Sequence, residues 1–168
     1  MEVLWSSWRS QYIQNFKDSA TDPNNNPCFI CHAINSDNDK DLLVVSRQEL
    51  CIIMLNKFPY NGGHLLVAPL RHVAEIEELS NDELLDMMKT VKLATKVINK
   101  ISNPHGYNIG INQGRVAGAG LPGHVHIHIV PRWNGDTSFM SILSDTKVVS
   151  QSLEESQIVL EKAFKEFI

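Results

Sequence analysis

Between residues 80 and 101 the apolar side chains Leu84, Leu85, Met88, Val91, Leu93, Ala94, Val97 and Ile98 recur close to a helical period, predicting one long amphipathic helix. Ser80 with Glu83 three residues on has the form of a capping box at its start, and Asn103-Pro104-His105-Gly106 ends it. Elsewhere the pattern shortens. Residues 42–45, 50–56 and 64–68 are brief β-rich runs joined by tight polar links, which predicts an antiparallel meander. Residues 107–112 and 124–130 predict two further strands, separated by a glycine-rich loop over 114–123. Trp8, Tyr12 and Phe16 line up at i, i+4, i+8 as one stripe of a short N-terminal packing helix, and residues 154–168 predict a C-terminal helix. Residues 21–27 and 35–41 are dense in turn formers. These elements predict an α+β fold in which an antiparallel sheet of about five strands carries the long helix, with helices at both ends.

At 168 residues the chain suits a single domain spanning 1–168, and 43% hydrophobic with 20% charged residues is an ordinary globular balance. The net charge of -4, with basic residues scattered along the chain, argues against a polynucleotide surface. The longest apolar runs, such as residues 51–55, are far below the roughly 20 residues a membrane span needs, and the opening MEVLWSSWRSQY has neither a basic n-region nor an apolar h-region. Three cysteines, with one C-x-x-C pair at Cys28 and Cys31, suggest metal or redox chemistry in the cytoplasm before a disulfide framework.

The chemistry concentrates at His124-Val125-His126-Ile127-His128-Ile129-Val130. With a side-chain period of two, Val125, Ile127 and Ile129 turn to the core and the three histidines share the other face, lining a cleft. Such imidazoles at i, i+2, i+4 span roughly 13 Å, too far for all to hold one metal ion. Neutral imidazole is a nucleophile at physiological pH, and phosphorus is a fitting electrophile. The preceding loop, Gly114 to Gly120, offers backbone N–H groups that can converge on phosphate oxygens. Cys28 and Cys31 have the spacing of a metal knuckle, for which thiolate with imidazole is the preferred structural zinc set; two more ligands are then needed, and His32 is a rival candidate. The alternative is a pair of buried reduced thiols. Cys51, within CIIML, reads as core, and His105 has no assigned role.

The His-x-His-x-His motif followed by two apolar residues resembles the histidine triad (HIT) family of nucleotide hydrolases and transferases. LNKFPYNGGHLLVAPLRH (55–72) is similar to that family's nucleotide-site strand and turn, and NQGRVAGAG (112–120) to its phosphate loop. VPRWNGDTSFM (130–140) and the opening LWSSWRSQYI (4–13) resemble its bacterial diadenosine tetraphosphate phosphorylase-like branch; residues 141–168 carry little of the likeness. The resemblance implies a HIT-like fold, a homodimer and action on dinucleoside polyphosphates, with adenosine phosphoramidase-type hydrolysis or a nucleotide-binding sensor as alternatives. It implies His126 as nucleophile, His128 as phosphate ligand and His64 as support for the triad. It further implies Asn56 at the ribose and Asn112, Gln113, Gly118, Ala119 and Gly120 at the phosphates. In zinc-bearing members the two remaining metal ligands fall on His72 and His124. One departure stands out: three residues before the first triad histidine, where the phosphoramidase and diadenosine triphosphate hydrolase branches carry a hydroxyl, this chain has Leu121.

Overall fold

A computed structural model of the chain describes residues 28–136 and 152–167. The predicted helix around Trp8, Tyr12 and Phe16, the 21–27 turn and residues 137–140 of the VPRW continuation lie outside that span.

Five strands form one antiparallel sheet: β1 (Val44–Arg47), β2 (Cys51–Leu55), β3 (Leu65–Pro69), β4 (Gly106–Ile111) and β5 (Ile127–Arg132), in the spatial order β1-β2-β3-β5-β4. The expected meander holds for the first three. The fifth strand then inserts between β3 and β4, leaving β4 at the edge. Strand β1 begins two residues later than its apolar run suggests, because Leu43 takes a left-handed φ of 59° in the turn before it.

The alternation along each strand sorts side chains to two faces. Cys51, Ile53 and Leu55 of β2, Leu65 and Val67 of β3, and Ile127 and Ile129 of β5 pack with Met87, Val91, Ala94, Val97 and Ile98 of helix α2 (Asn81–Ser102) and Leu160, Ala163 and Phe164 of helix α3 (Leu153–Lys165). Ile52, Met54, Leu66 and Ala68 face the other way, against Ile30 and Ala33 of the six-residue helix α1 (Phe29–Ile34). Because α2 and α3 already cover one face, chemistry must sit on the α1 side. Both longer helices begin at a reciprocal capping box, Ser80 with Glu83 and Ser152 with Glu155, so the sequence signals that start them are geometric facts. Helix α1 escapes sequence reading, since six residues are too few to show a period.

The histidine segment departs from its expected form. It was expected to be a strand from 124 onward, but the ladder begins at Ile127. Continuing the β3–β5 register of Leu65↔Ile129, Leu66↔His128 and Val67↔Ile127 would set Val125 opposite Pro69. Proline has no N–H to give. The Val125 N–H bonds to the Val73 carbonyl instead, at 2.7 Å, and the Pro69 carbonyl accepts from His124 Nε2 at 2.9 Å. The side-chain alternation nevertheless persists: Val125, Ile127 and Ile129 are in the core, while His128 stands beside Leu66 on the α1 face.

Candidate active site

Backbone partners fix the proton positions of the histidines. The Tyr60 N–H, which can only donate, points at His64 Nδ1 at 3.1 Å. His64 therefore carries its proton on Nε2 and donates it to His128 Nδ1 at 2.9 Å. His128 must then hold its own proton on Nε2. Opposite it on the edge strand is Gly110, which adds no side chain there. His126 is set differently: its Nδ1 donates to the His124 carbonyl at 2.8 Å, so in the neutral ring Nε2 carries the lone pair. Burial lowers the His126 pKa from its ordinary value, with the bond to the His124 carbonyl opposing, which keeps the ring neutral at physiological pH. The His126 and His128 rings meet edge-on with centroids 4.9 Å apart.

Both rings line a pocket whose other walls come from Asn56, Phe58 and Tyr60 on one segment, Gly118, Gly120 and Leu121 on the glycine loop, and Phe29 and Leu66. Asn56 caps the turn, its Oδ1 accepting the Phe58 N–H at 2.9 Å while Nδ2 lies 3.3 Å from His64 Nδ1. His64 is fully buried and stands behind His128 instead of lining the pocket.

The remaining phosphate-loop candidates are placed elsewhere. Asn112 and Gln113 do not line the pocket. Gln113 roots the loop on the turn Ile76–Glu78, accepting the Ile76 N–H at 3.0 Å and donating to Glu77 at 3.1 Å. The Ala119 N–H is spent within the loop on the Gly114 carbonyl at 3.3 Å. Phe29, Phe58, Tyr60 and Leu66 were not singled out from the sequence. For the aromatics the available signal was position, each lying within a few residues of a predicted ligand, with Phe29 inside CFIC itself.

A second cluster lies on the far side of His124. Cys28 Sγ is 3.2 Å from His124 Nδ1, and Cys31 Sγ is 3.1 Å from His72 Nδ1 and 3.5 Å from His124 Nδ1. One donor atom from each of Cys28, Cys31, His72 and His124 can be chosen so that all lie within 4.8 Å of one another. Around a tetrahedral zinc such edges measure about 3.3 to 3.8 Å, so the group fits that ion with small adjustment. Because the His124 Nε2–H is committed to Pro69, its lone pair is on Nδ1, facing the thiols. Burial lowers His124 to about 4, so the ring is neutral, as a ligand must be. Burial also pushes the Cys28 thiol up to about 11; a bound cation would displace that proton. His32 is exposed and outside the cluster, and His105 accepts the Asn134 N–H at 2.9 Å.

Arg47 secures the other end of α1, donating to the carbonyls of Ala33, Ile34 and Ser36. The knuckle helix, and Phe29 on it, is thus held at both ends.

A family model described as HIT domain matches residues 37–135. Over 162 residues the chain is 38% identical to a Mycobacterium tuberculosis protein named AP-4-A phosphorylase, spanning 95% of this chain and 83% of that one. An asymmetrical bis(5'-nucleosyl)-tetraphosphatase of Schizosaccharomyces pombe is 35% identical over 114 residues, 68% of this chain and 59% of that one. Among solved structures, a zinc-bound histidine triad family protein from Mycobacterium smegmatis matches with a TM-score of 0.67 at 24% identity, over 84% of this chain and 95% of that one. The family match takes in the histidines and the glycine loop and leaves Cys28 and Cys31 just upstream.

Proposed function

The chain belongs to the HIT domain family, and on that premise we propose that it is a nucleotidyl hydrolase or transferase acting on dinucleoside polyphosphates, with His126 as the group that carries the nucleotide. One arrangement carries this reading: a neutral imidazole with Nδ1 bonded back to its own chain, leaving the Nε2 lone pair as the nitrogen offered to the pocket. Nε2 attacks the phosphorus of the α-phosphate; the N–P bond forms as the bridging P–O bond breaks, and the electron pair departs on the leaving polyphosphate. Water or inorganic phosphate then attacks the same phosphorus: the new O–P bond forms as the N–P bond breaks, its electron pair returns to Nε2, the attacking oxygen's proton passes to solvent, and the nucleotide is released. His128, with its proton on Nε2, donates to the phosphate oxygens as charge develops. His64 holds that tautomer from behind. In this reading Asn56, which lines the pocket, binds the ribose hydroxyls, and Gly118 and Gly120 let the phosphates approach the loop backbone.

Leu121 lines the pocket and packs on the apolar cluster around Ile30 and Ala33. It can protonate no leaving group, which favours substrates whose leaving group is already a stable anion, as a nucleoside triphosphate is. The 38% identity to a relative named AP-4-A phosphorylase supports the same choice.

Cys28, Cys31, His72 and His124 are the residues that would hold a structural zinc, whose contribution is to fix the knuckle rather than to touch substrate. His124 connects the two sites, offering Nδ1 to the cluster and its carbonyl to His126. A homodimer fits the side of β4 that pairs with no strand among the described residues, where Ile109 is 46% exposed. A reducing cytoplasm fits the free thiols of Cys28, Cys31 and Cys51; no helix of the described residues is long and apolar enough to cross a membrane.

Product analysis with diadenosine tetraphosphate tests the reaction. AMP plus ATP identifies hydrolysis, and ADP plus ATP, appearing only with inorganic phosphate, identifies phosphorolysis. Alkaline denaturing quench followed by peptide mass analysis should find the nucleotidyl adduct on His126; turnover with the adduct on another residue would refute the assignment.

A further inference from the structure

The glycine loop carries a cation that the reaction scheme does not use. Residues Arg115–Ala117 make a 3-10 turn between Gly114 and Gly118, whose φ values of 79° and 87° are left-handed. The Gly118 N–H returns to the Arg115 carbonyl at 3.0 Å, and the loop is rooted on the Ile76–Glu78 turn through Gln113. The backbone of Arg115 is therefore held one turn from Gly118, which lines the pocket beside His126 and His128. Val116, next to it, projects fully into solvent.

Arg115 also differs electrostatically from its counterparts. Among the described residues, Arg47, Arg71 and Arg132 each sit against a carboxylate, on Asp39, Glu83 and Asp136 respectively. Arg115 is exposed and forms no ion pair with a described residue. Glu77, the acid tied into the root of this loop, takes Gln113 instead. A guanidinium offers a planar fork that matches two phosphate oxygens, and one with no carboxylate to give up binds them without breaking an existing pair.

We propose that Arg115 binds the phosphates beyond the one attacked at His126, and so selects substrates whose leaving group is a polyphosphate over those whose leaving group carries none. This rests on the nucleotidyl-transfer reading of the pocket. The geometry assigns the discrimination to the rim: the attacked phosphate meets buried His126 and half-buried His128, while the rest of a polyphosphate chain runs outward along the wall that Gly118 and Gly120 form. A substrate with a single phosphate never reaches that far.

Two measurements test it. In steady-state kinetics, Arg115→Ala should lower kcat/KM for diadenosine tetraphosphate by roughly tenfold or more, mainly through KM, while adenosine phosphoramidate changes by less than about threefold; Arg115→Lys should recover part of the loss. Equal losses on both substrates would reduce Arg115 to a loop-shaping residue and overturn the proposal, as would no loss on either. The second measurement needs no turnover. Calorimetric titration with inorganic tripolyphosphate should show binding to the wild-type protein that weakens roughly tenfold in Arg115→Ala and falls with added salt. Absence of wild-type binding overturns the proposal even if the enzyme is active. Binding that depends on Arg115 in a protein that transfers no nucleotide would instead sustain the site and reject the catalytic reading.

Discussion

Replacing His64 by leucine should separate the positioning of the triad from its chemistry. The substitution removes the Nε2–H that His128 Nδ1 accepts at 2.9 Å and leaves the Tyr60 N–H, now 3.1 Å from an imidazole nitrogen, facing an apolar side chain. His64 is fully buried, so water does not readily replace it. Losing the bond to His128, the acceptor of the Tyr60 N–H and the 3.3 Å contact with Asn56 Nδ2 costs about 1 to 3 kcal/mol of stability, which for a chain of this size lowers Tm by roughly 2 to 10 °C. The catalytic loss has a different origin. Losing the Nε2–H of His64 removes one source of the preference of His128 for carrying its proton on Nε2, and about 1 to 1.5 kcal/mol of that preference given up in the transition state slows kcat roughly tenfold. KM should change less than kcat, because His64 does not line the pocket and reaches it only through the 3.3 Å contact with Asn56. The decisive assay is a double-mutant cycle. In a His128→Ala background, His64→Leu should still lower Tm but should slow turnover no further, since the proton it controls is gone. Nitrogen-15 spectra of the imidazoles should meanwhile show His128 protonated on Nε2 in the parent and a smaller population of that tautomer in His64→Leu. An equal slowing by His64→Leu in both backgrounds, or an unchanged His128 tautomer, would refute the relay.

Elemental analysis should find about one zinc per chain, lost in a Cys28→Ser, Cys31→Ser double variant together with several degrees of thermal stability; metal-free protein of unchanged Tm would leave only reduced thiols. Leu121→Ser should raise kcat/KM for adenosine phosphoramidate by roughly tenfold by supplying a proton donor for the amine, while lowering Tm because an apolar contact with the α1 cluster is lost; no gain on the phosphoramidate would show that Leu121 does not set leaving-group preference. The Arg71 guanidinium, followed by the Ser80 backbone N–H, holds the Glu83 carboxyl down at about 2, against an ordinary 4.5. A depressed carboxyl contributes stability that is complete above its unfolded pKa and lost as pH falls through the folded one, so the wild-type advantage over Glu83→Gln in urea midpoint should be constant from neutrality to about pH 5 and shrink between 4.5 and 2. A difference that is flat through that interval would exclude the pair as a source of acid sensitivity.

Much of this architecture is legible from pattern alone. The long helix shows both its period and its capping box, and the five strands are found within a few residues of their apolar runs. What pattern cannot give is strand order. Nothing local in residues 127–132 says that β5 will enter between β3 and β4, because that choice is made by packing at long range. The candidate site divides in the same way. The two cysteines and the histidine alternation are visible as spacing, and the resemblance supplied His72 and His124 as companions to the thiols, which the structure brings together. For Gln113 spacing does not decide, because an amide in a glycine loop is equally suited to a phosphate or to a neighbouring turn, and only the fold places the Ile76 N–H in front of it. Arg115 gives no signal in the sequence, because its distinction, the lack of an ion pair with any described residue, is a property of the assembled surface.

Pro69 has a consequence that reaches past its own strand. By withholding an amide where the β3–β5 ladder would continue, it ends the regular sheet at Ile127, one residue short of His126, and hands the chain there to particular partners: the Val73 carbonyl, its own carbonyl through His124, and the His124 carbonyl through His126. The molecule is thereby divided into a frame and an insert. Residues 65–69 and 127–132 must satisfy a repeating lattice, in which any slip moves every side chain to the wrong face. Residues 121–126 answer to no lattice, so a leucine there can be exchanged for a hydroxyl, or a histidine turned toward a metal, without re-registering the sheet behind them. Reactivity and foldability are written in adjacent but separate stretches of chain, and one imino acid draws the border between them.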